Sequence, residues 1–220
     1  MPSLRIALLP VVVSATALAG CASSSPVSYV GLKSTAQLAP NPQDKSGHIP
    51  FFYTAPDVAW AQYTDVMFDP VTIYGGSDGQ FGSVPQTDKA ELATYIGTEF
   101  IGALKQHYEL ATEPSPRTVR IHVTLTGIET STPVLSTLTK IAPIGLVANT
   151  VQTVRGRQAA FSGSVSYAVE IYDSVSDRLL RTYVEKQYPW AENVAASFGS
   201  LGAAKAGVRN GAQDLLGQLH

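Results

Sequence analysis

The sequence of 220 residues predicts an α+β domain: a mostly antiparallel sheet with two helices on one face. Three patterns carry this expectation. Apolar and polar residues alternate with period two over 119–126 and 165–172, as in strands with one face buried. Apolar residues recur at helical spacing over 92–110 and 201–219. The segments follow one another as β-α-β-insert-β-β-α, an order that lets helices cover one face of a sheet.

Residues 1–20 stand apart from that domain. Arg5 precedes the apolar run Ile6–Val13 and the small residues Ser14–Gly20, the layout of a secretory signal peptide. The run is shorter than the roughly 20 residues of a spanning helix, and Pro10 interrupts it. Leu18-Ala19-Gly20-Cys21 resembles the lipobox of bacterial lipoproteins. The resemblance implies cleavage before Cys21 and acylation of its thiol and new α-amino group. By the same resemblance, Ala22 in place of Asp favours the outer membrane, with the domain facing the periplasm. Two or more acyl chains hold a protein stably on a bilayer.

Residues 21–50 contain Ser23-Ser24-Ser25-Pro26 and the stretch Pro40–Gly47, a composition expected of a flexible tether. The domain is then 51–220. Val66–Tyr74 is β-branched and aromatic and predicts a strand that Pro70 places at an edge or breaks. Gly75–Gly82 reads as a loop. Asp88 and Glu91 have capping-box spacing, so a helix is expected from there to about Leu110. Val119, Ile121, Val123 and Leu125 face inward, opposite Arg120, His122, Thr124 and Thr126. Val165–Tyr172 and Leu179–Tyr188 form a hairpin across the turn Asp173-Ser174-Val175-Ser176-Asp177, with Glu170 facing outward. Leu201, Ala204, Val208, Ala212, Leu215 and Leu219 mark the last helix. Between the second and third strands lies an apolar insert, about 135–155. Its stretch Leu135–Val151 carries one charge, Lys140.

Composition excludes several functions. Apolar residues are 45% of the chain, enough for a core. The 15 Lys+Arg against 17 Asp+Glu become 14 against 17 once Arg5 is removed, which argues against nucleic acid as a partner. Cys21 is the one cysteine, so no intrachain disulfide forms.

The stretch Tyr53–Val71, with Trp60, Tyr63 and Asp69-Pro70-Val71, is similar to the hallmark of an uncharacterised family of Gram-negative lipoproteins, domain of unknown function 3313. A second match is Glu170–Leu180, where Ser176-Asp177-Arg178 stands at the family's common Thr-Gly-Glu turn. The resemblance brings no activity with it.

Candidate chemistry is sparse. His48, His107, His122 and His220 show no metal-ligand spacing, and Gly199-Ser200-Leu201-Gly202 is not a nucleophile elbow. Neither a metal nor a cofactor is expected beyond the lipid on Cys21. The site residues expected are Cys21 for attachment, with Tyr53, Trp60 and Tyr63 and the insert's Ile141, Ile144 and Leu146 for contact. The function expected is a non-enzymatic envelope binding or assembly accessory, with another envelope protein or peptidoglycan as partner. The alternatives are a periplasmic enzyme acting on peptidoglycan or glycan, and a homo-oligomeric structural module joined through the insert.

Overall fold

The computed structural model describes residues 25–130, 163–189 and 201–220. In chain order they form β1 (Ala39–Pro40), β2 (Phe51–Thr54), a 3₁₀ turn (Trp60–Gln62), β3 (Asp65–Phe68), β4 (Thr72–Ile73), α1 (Gln86–Leu104), β5 (Glu109–Leu110), β6 (Thr118–Glu129), β7 (Ser164–Asp173), β8 (Leu179–Gln187) and α2 (Gly202–Gly217). The strands make one sheet in the order β1-β2-β8-β7-β6-β3-β5, with β4 also paired to β6. The predicted α+β architecture is present, and both helices lie on one face.

Alternation decides which side chains meet them. Ile121 lies opposite Ile171, Val123 opposite Val169 and Leu125 opposite Tyr167. All six are fully buried against Leu92, Ile96 and Phe100 of α1 and Val208, Ala212 and Leu215 of α2. Phe100 meets the Tyr167 ring edge-on at 5.5 Å. The predicted hairpin forms as β7 and β8. Asp173 Oδ1 accepts the Ser176 amide at 2.8 Å and its hydroxyl at 2.7 Å, the turn chemistry expected there. Asp177 takes φ +54°, so it occupies the left-handed conformation that the family's glycine would supply.

The parallel part of the sheet follows from connectivity. Helix α1 crosses over between β4 and β6, which are neighbours, and such a crossover leaves its two strands parallel. Pro70 breaks the expected strand into β3 and β4, and both run along β6. The capping box does not form. Helix α1 starts at Gln86 behind Pro85, without a side-chain cap, and the Thr87 hydroxyl bonds Asp88 instead. It ends at Leu104 rather than near 110, because Glu109 and Leu110 pair with β3 as a further strand.

The larger difference lies on the other sheet face. Residues 25–50, expected as a tether, are packed from Ser25 onward: the stretch through Gln37 covers this face, Ala39–Pro40 add β1 at the sheet edge, and 41–49 lie beside the end of α2. Tyr29 is fully buried and Ser34 nearly so. The Ser34 amide donates to Glu170 Oε1 at 2.8 Å, and its hydroxyl lies 2.9 Å from that of Thr182. Glu170 is therefore covered, at 2% exposure, although alternation pointed it to solvent. Tyr29 holds φ +48°, a conformation that costs on the order of 1–2 kcal/mol. Burying its ring contributes roughly 1.5–3 kcal/mol. Its hydroxyl donates to Gln80 at 3.0 Å and its carbonyl accepts the Thr35 hydroxyl at 2.7 Å, so docking wins. Composition pointed to a solvated segment because so few of its residues are large and apolar. Attachment here relies instead on hydrogen bonds and on the buried Tyr29 and Leu32, with the partly buried Leu38 and Ile49 beside them.

Candidate functional site

Of the site residues expected from sequence, Cys21, Ile141, Ile144 and Leu146 lie outside the described residues. The aromatic group divides between the two sheet faces. Phe52 pairs with Tyr183 and Tyr53 with Thr182, so the two rings point to opposite sides. On the helix side the Arg181 guanidinium stacks 4.6 Å from Trp60 and 5.6 Å from Phe52, and donates to the Gln218 carbonyl beyond α2. Tyr63 is buried beside Trp60, and its hydroxyl donates to Asp173 at 2.9 Å. These contacts pin the β2–β3 connection to the hairpin turn and to the end of α2. Burial raises the Tyr63 pKa, and its bond to Asp173 adds to the rise. Burial also pushes the Asp173 carboxyl upward, but the bonds from Ser176 and Tyr63 outweigh it and hold the pKa low.

The docked N-terminal segment creates a feature that strand alternation alone does not reveal. It walls a polar cleft of about 470 Å³ on the outer sheet face, lined by Lys33, Gln37, Asp69, Arg120, His122, Tyr172, Asp177 and Leu179. Cross-strand pairing brings Arg120 opposite Tyr172 and His122 opposite Glu170. The break at Pro70 sets Asp69 beside them. Its carboxylate accepts Arg120 Nε at 2.9 Å and lies 3.3 Å from His122 Nδ1. That bond and the Asp69 charge raise the Arg120 pKa. The Tyr172 hydroxyl donates to Glu170 at 3.2 Å, and burial, then the Glu170 charge, raises its pKa. Lys33 and Gln37 enter from the docked segment. Among the described residues their side chains make no hydrogen bond or ion pair, so both are available to a ligand. The signal for this site was present in sequence as Arg120 and His122 on one strand face. What was missing was the segment that closes over them.

A second concavity, about 790 Å³, runs between α1 and the β3–β4 break. Its lining is mostly apolar, including Phe68, Val71, Ile73, Ala93 and Ile101. Thr94 and Thr98 also line it, but their hydroxyls donate to carbonyls of their own helix at 3.0 and 3.1 Å. Its charged lining residues are Asp69, already paired with Arg120, and Lys105, so the larger groove offers fewer polar groups than the smaller cleft. Among the described residues no group of three His, Cys, Asp or Glu side chains converges on a metal-sized site.

Beneath α2 lies a buried polar cluster that the periodicity of the strand did not expose. Gln187 Nε2 donates to Glu185 Oε1 and to Asp214 Oδ2, each at 2.6 Å. Glu185 is fully buried, and burial pushes its carboxyl up to about 8, with the Asp214 charge adding to the rise. The Tyr167 and Tyr183 hydroxyls are buried beside it without well-formed hydrogen bonds.

No curated protein matches the chain. Among solved structures it resembles the PelC dodecamer from Paraburkholderia phytofirmans at 8% identity and TM-score 0.38, over 74% of this chain and 94% of that one. It also resembles a hypothetical protein from Chlamydia trachomatis at 10% identity and TM-score 0.38, over 71% and 95%. A protein from Xanthomonas campestris follows at 10% identity and TM-score 0.35, over 74% and 87%. A family model described as protein of unknown function (DUF3313) matches residues 28–215, and the chain belongs to that family. The match takes in the docked segment at one end and most of α2 at the other.

Proposed function

We propose that this member of a family of unknown function is an outer-membrane lipoprotein held by acyl chains on Cys21. Its α+β domain acts as a non-enzymatic binding or assembly module facing the periplasm. Its contact site is the cleft of Lys33, Gln37, Asp69, Arg120, His122 and Tyr172. The supporting observation is how those side chains are engaged. Asp69 is tied to Arg120 and His122, while Lys33 and Gln37 face the cleft free of partners among the described residues. Such a site offers a cation and amide donors to a polar envelope component. Hydrolysis of a glycan would need two working carboxylates. The cleft holds Asp69 and Asp177, and the Arg120 ion pair and the His122 contact on Asp69 leave only Asp177 unengaged.

A photo-crosslinking residue at Gln37 in intact cells should capture an envelope component, and Lys33→Glu should abolish that capture while the protein level holds. Capture unchanged by Lys33→Glu refutes the cleft as the contact. Release of peptidoglycan fragments by the purified protein, lost in Asp177→Asn, would replace the binding reading with the enzymatic one. Cys21→Ser should move the protein into the soluble periplasmic fraction. Continued sedimentation with membranes would refute the anchor.

A further inference from the structure

We propose that the domain stands end-on to the bilayer. In this arrangement the sheet end built by the 75–82 loop, Glu129 and Ser164 lies against an anionic phospholipid surface, and the polar cleft points away from it. This inference rests on the lipid anchor at Cys21. It begins from chain length. Ser25 is four residue steps from Cys21, a reach of at most about 14 Å even when fully extended.

Ser25 is already fixed to one end of the sheet. Its carbonyl accepts Gln80 Nε2 at 2.7 Å. Gln80 is bridged to Gly127 near the end of β6, and the Ile128 amide donates to its carbonyl at 3.0 Å. The Val30 amide donates to Asp78 at 3.0 Å, and the Gly31 amide to the Tyr74 hydroxyl at 2.8 Å. Tyr74 in turn donates to Asp78 at 2.7 Å, which holds the Asp78 carboxyl low. The start of the described chain is thus locked to the 75–82 loop rather than free to swing.

The opposite end is far away. Gly127 is nine residue steps along β6 from Thr118, roughly 30 Å of strand. Thr118 lies beside the 173–178 turn, because Ser174 donates its amide to the Thr118 carbonyl at 3.1 Å. Arg120 and Asp177 place the polar cleft in that distal half. An anchor within about 14 Å of one end therefore keeps that end at the lipid and leaves the cleft open to the periplasm.

Charge at that end has both signs: Asp78 and Glu129 are acidic, Glu129 is paired with Lys186, and cations lie in the sequence between β6 and β7. Glu129 pairs with Ser164, so the chain leaves and rejoins the sheet at the membrane-proximal end. The intervening sequence, 131–162, contains Lys140, Arg155 and Arg157 and no Asp or Glu. It begins and ends where an anionic surface would be, and its charge is of the sign that such a surface attracts.

Because acylation consumes the Cys21 thiol, an introduced cysteine is the one free thiol of the lipidated chain. Ser77→Cys and Ser83→Cys report the proximal end, and Val175→Cys and Arg178→Cys the distal turn. Each carries an environment-sensitive fluorophore on the full-length lipidated protein. The vesicles are phosphatidylethanolamine with one quarter phosphatidylglycerol, doped with spin-labelled lipid. The expected result is at least threefold stronger quenching at 77 and 83 than at 175 and 178. Equal quenching at all four positions, or stronger quenching at the turn, overturns the orientation. If the protein floats with the vesicles while no position is quenched, the anchor stands and the orientation falls. If it does not float, the anchor falls and the orientation with it.

Discussion

Replacing Gly211 by alanine should destabilise the protein, although the same change in an exposed helix interior stabilises by about 1 kcal/mol. A Cβ at Gly211 would lie 1.7 Å from the Tyr167 hydroxyl and 2.9 Å from its Cζ. Tyr167 cannot yield cheaply, because it is fully buried in β7 with Phe100 against its ring. Either the ring shifts or α2 lifts from the sheet. Overpacking of this kind costs about 1–3 kcal/mol, and a contact this short belongs at the upper end. Offset by the gain in helix propensity, the net loss is about 2 kcal/mol. At ~2–4 °C per kcal/mol for a domain of this size, Tm should fall by about 4–8 °C. Gly102 supplies the internal control. It lies in α1, and a Cβ there would have no neighbour within 4 Å, so Gly102→Ala should raise stability by up to about 1 kcal/mol. Tyr167→Phe, made alone and combined with Gly211→Ala, removes the 1.7 Å contact and keeps the 2.9 Å one, so the pair should recover part of the loss, giving a coupling of opposite sign in a double-mutant cycle. Urea and thermal unfolding followed by circular dichroism measure all four variants. A Gly211→Ala protein as stable as its parent would refute the close seating of α2 on β7.

Other expectations follow from the same contacts. Because Glu185 is held near 8 when folded and returns to an ordinary carboxyl near 4.5 when unfolded, the folded state keeps a proton that the unfolded chain has lost between those pH values. Stability should therefore fall with rising pH across that window, by roughly 1.4 kcal/mol per pH unit, and level off above it. Glu185→Gln should flatten the urea midpoint between pH 5 and 8; parallel profiles would rule out the buried carboxyl as the cause. Tyr29→Ala should cost about 3–5 kcal/mol and open residues 25–50 to protease, the loss expected for a buried aromatic and not for a tether residue. Unchanged stability and proteolysis would return that segment to solvent. Asp177→Gly should alter stability by no more than about 1 kcal/mol, since glycine adopts the same positive φ at the expense of a more flexible unfolded chain. A larger loss would mean that the Asp177 side chain supports the turn.

Local periodicity was sufficient for β6, β7, β8 and α2, because period two and period 3.6 are properties of neighbouring residues. Val119 to Leu125 and Val165 to Ile171 face the helices as their alternation requires. The hairpin turn was equally legible, since Asp173 bonds residues two and three positions along the chain. Elements of two residues carry no period, so β1, β4 and β5 follow from their partners across the sheet. The cleft lay beyond local reading for the same reason. Its wall is held by a bond from Ser34 to Glu170, 136 residues apart, and that contact turns an outward-facing carboxylate into a covered one. Likewise Glu185 reads as one more strand residue until α2 folds over it and brings Asp214 to Gln187. A residue's own neighbours decide whether it lies in a strand or a helix, and which way it points. Whether it meets water depends on what the rest of the chain lays across that face.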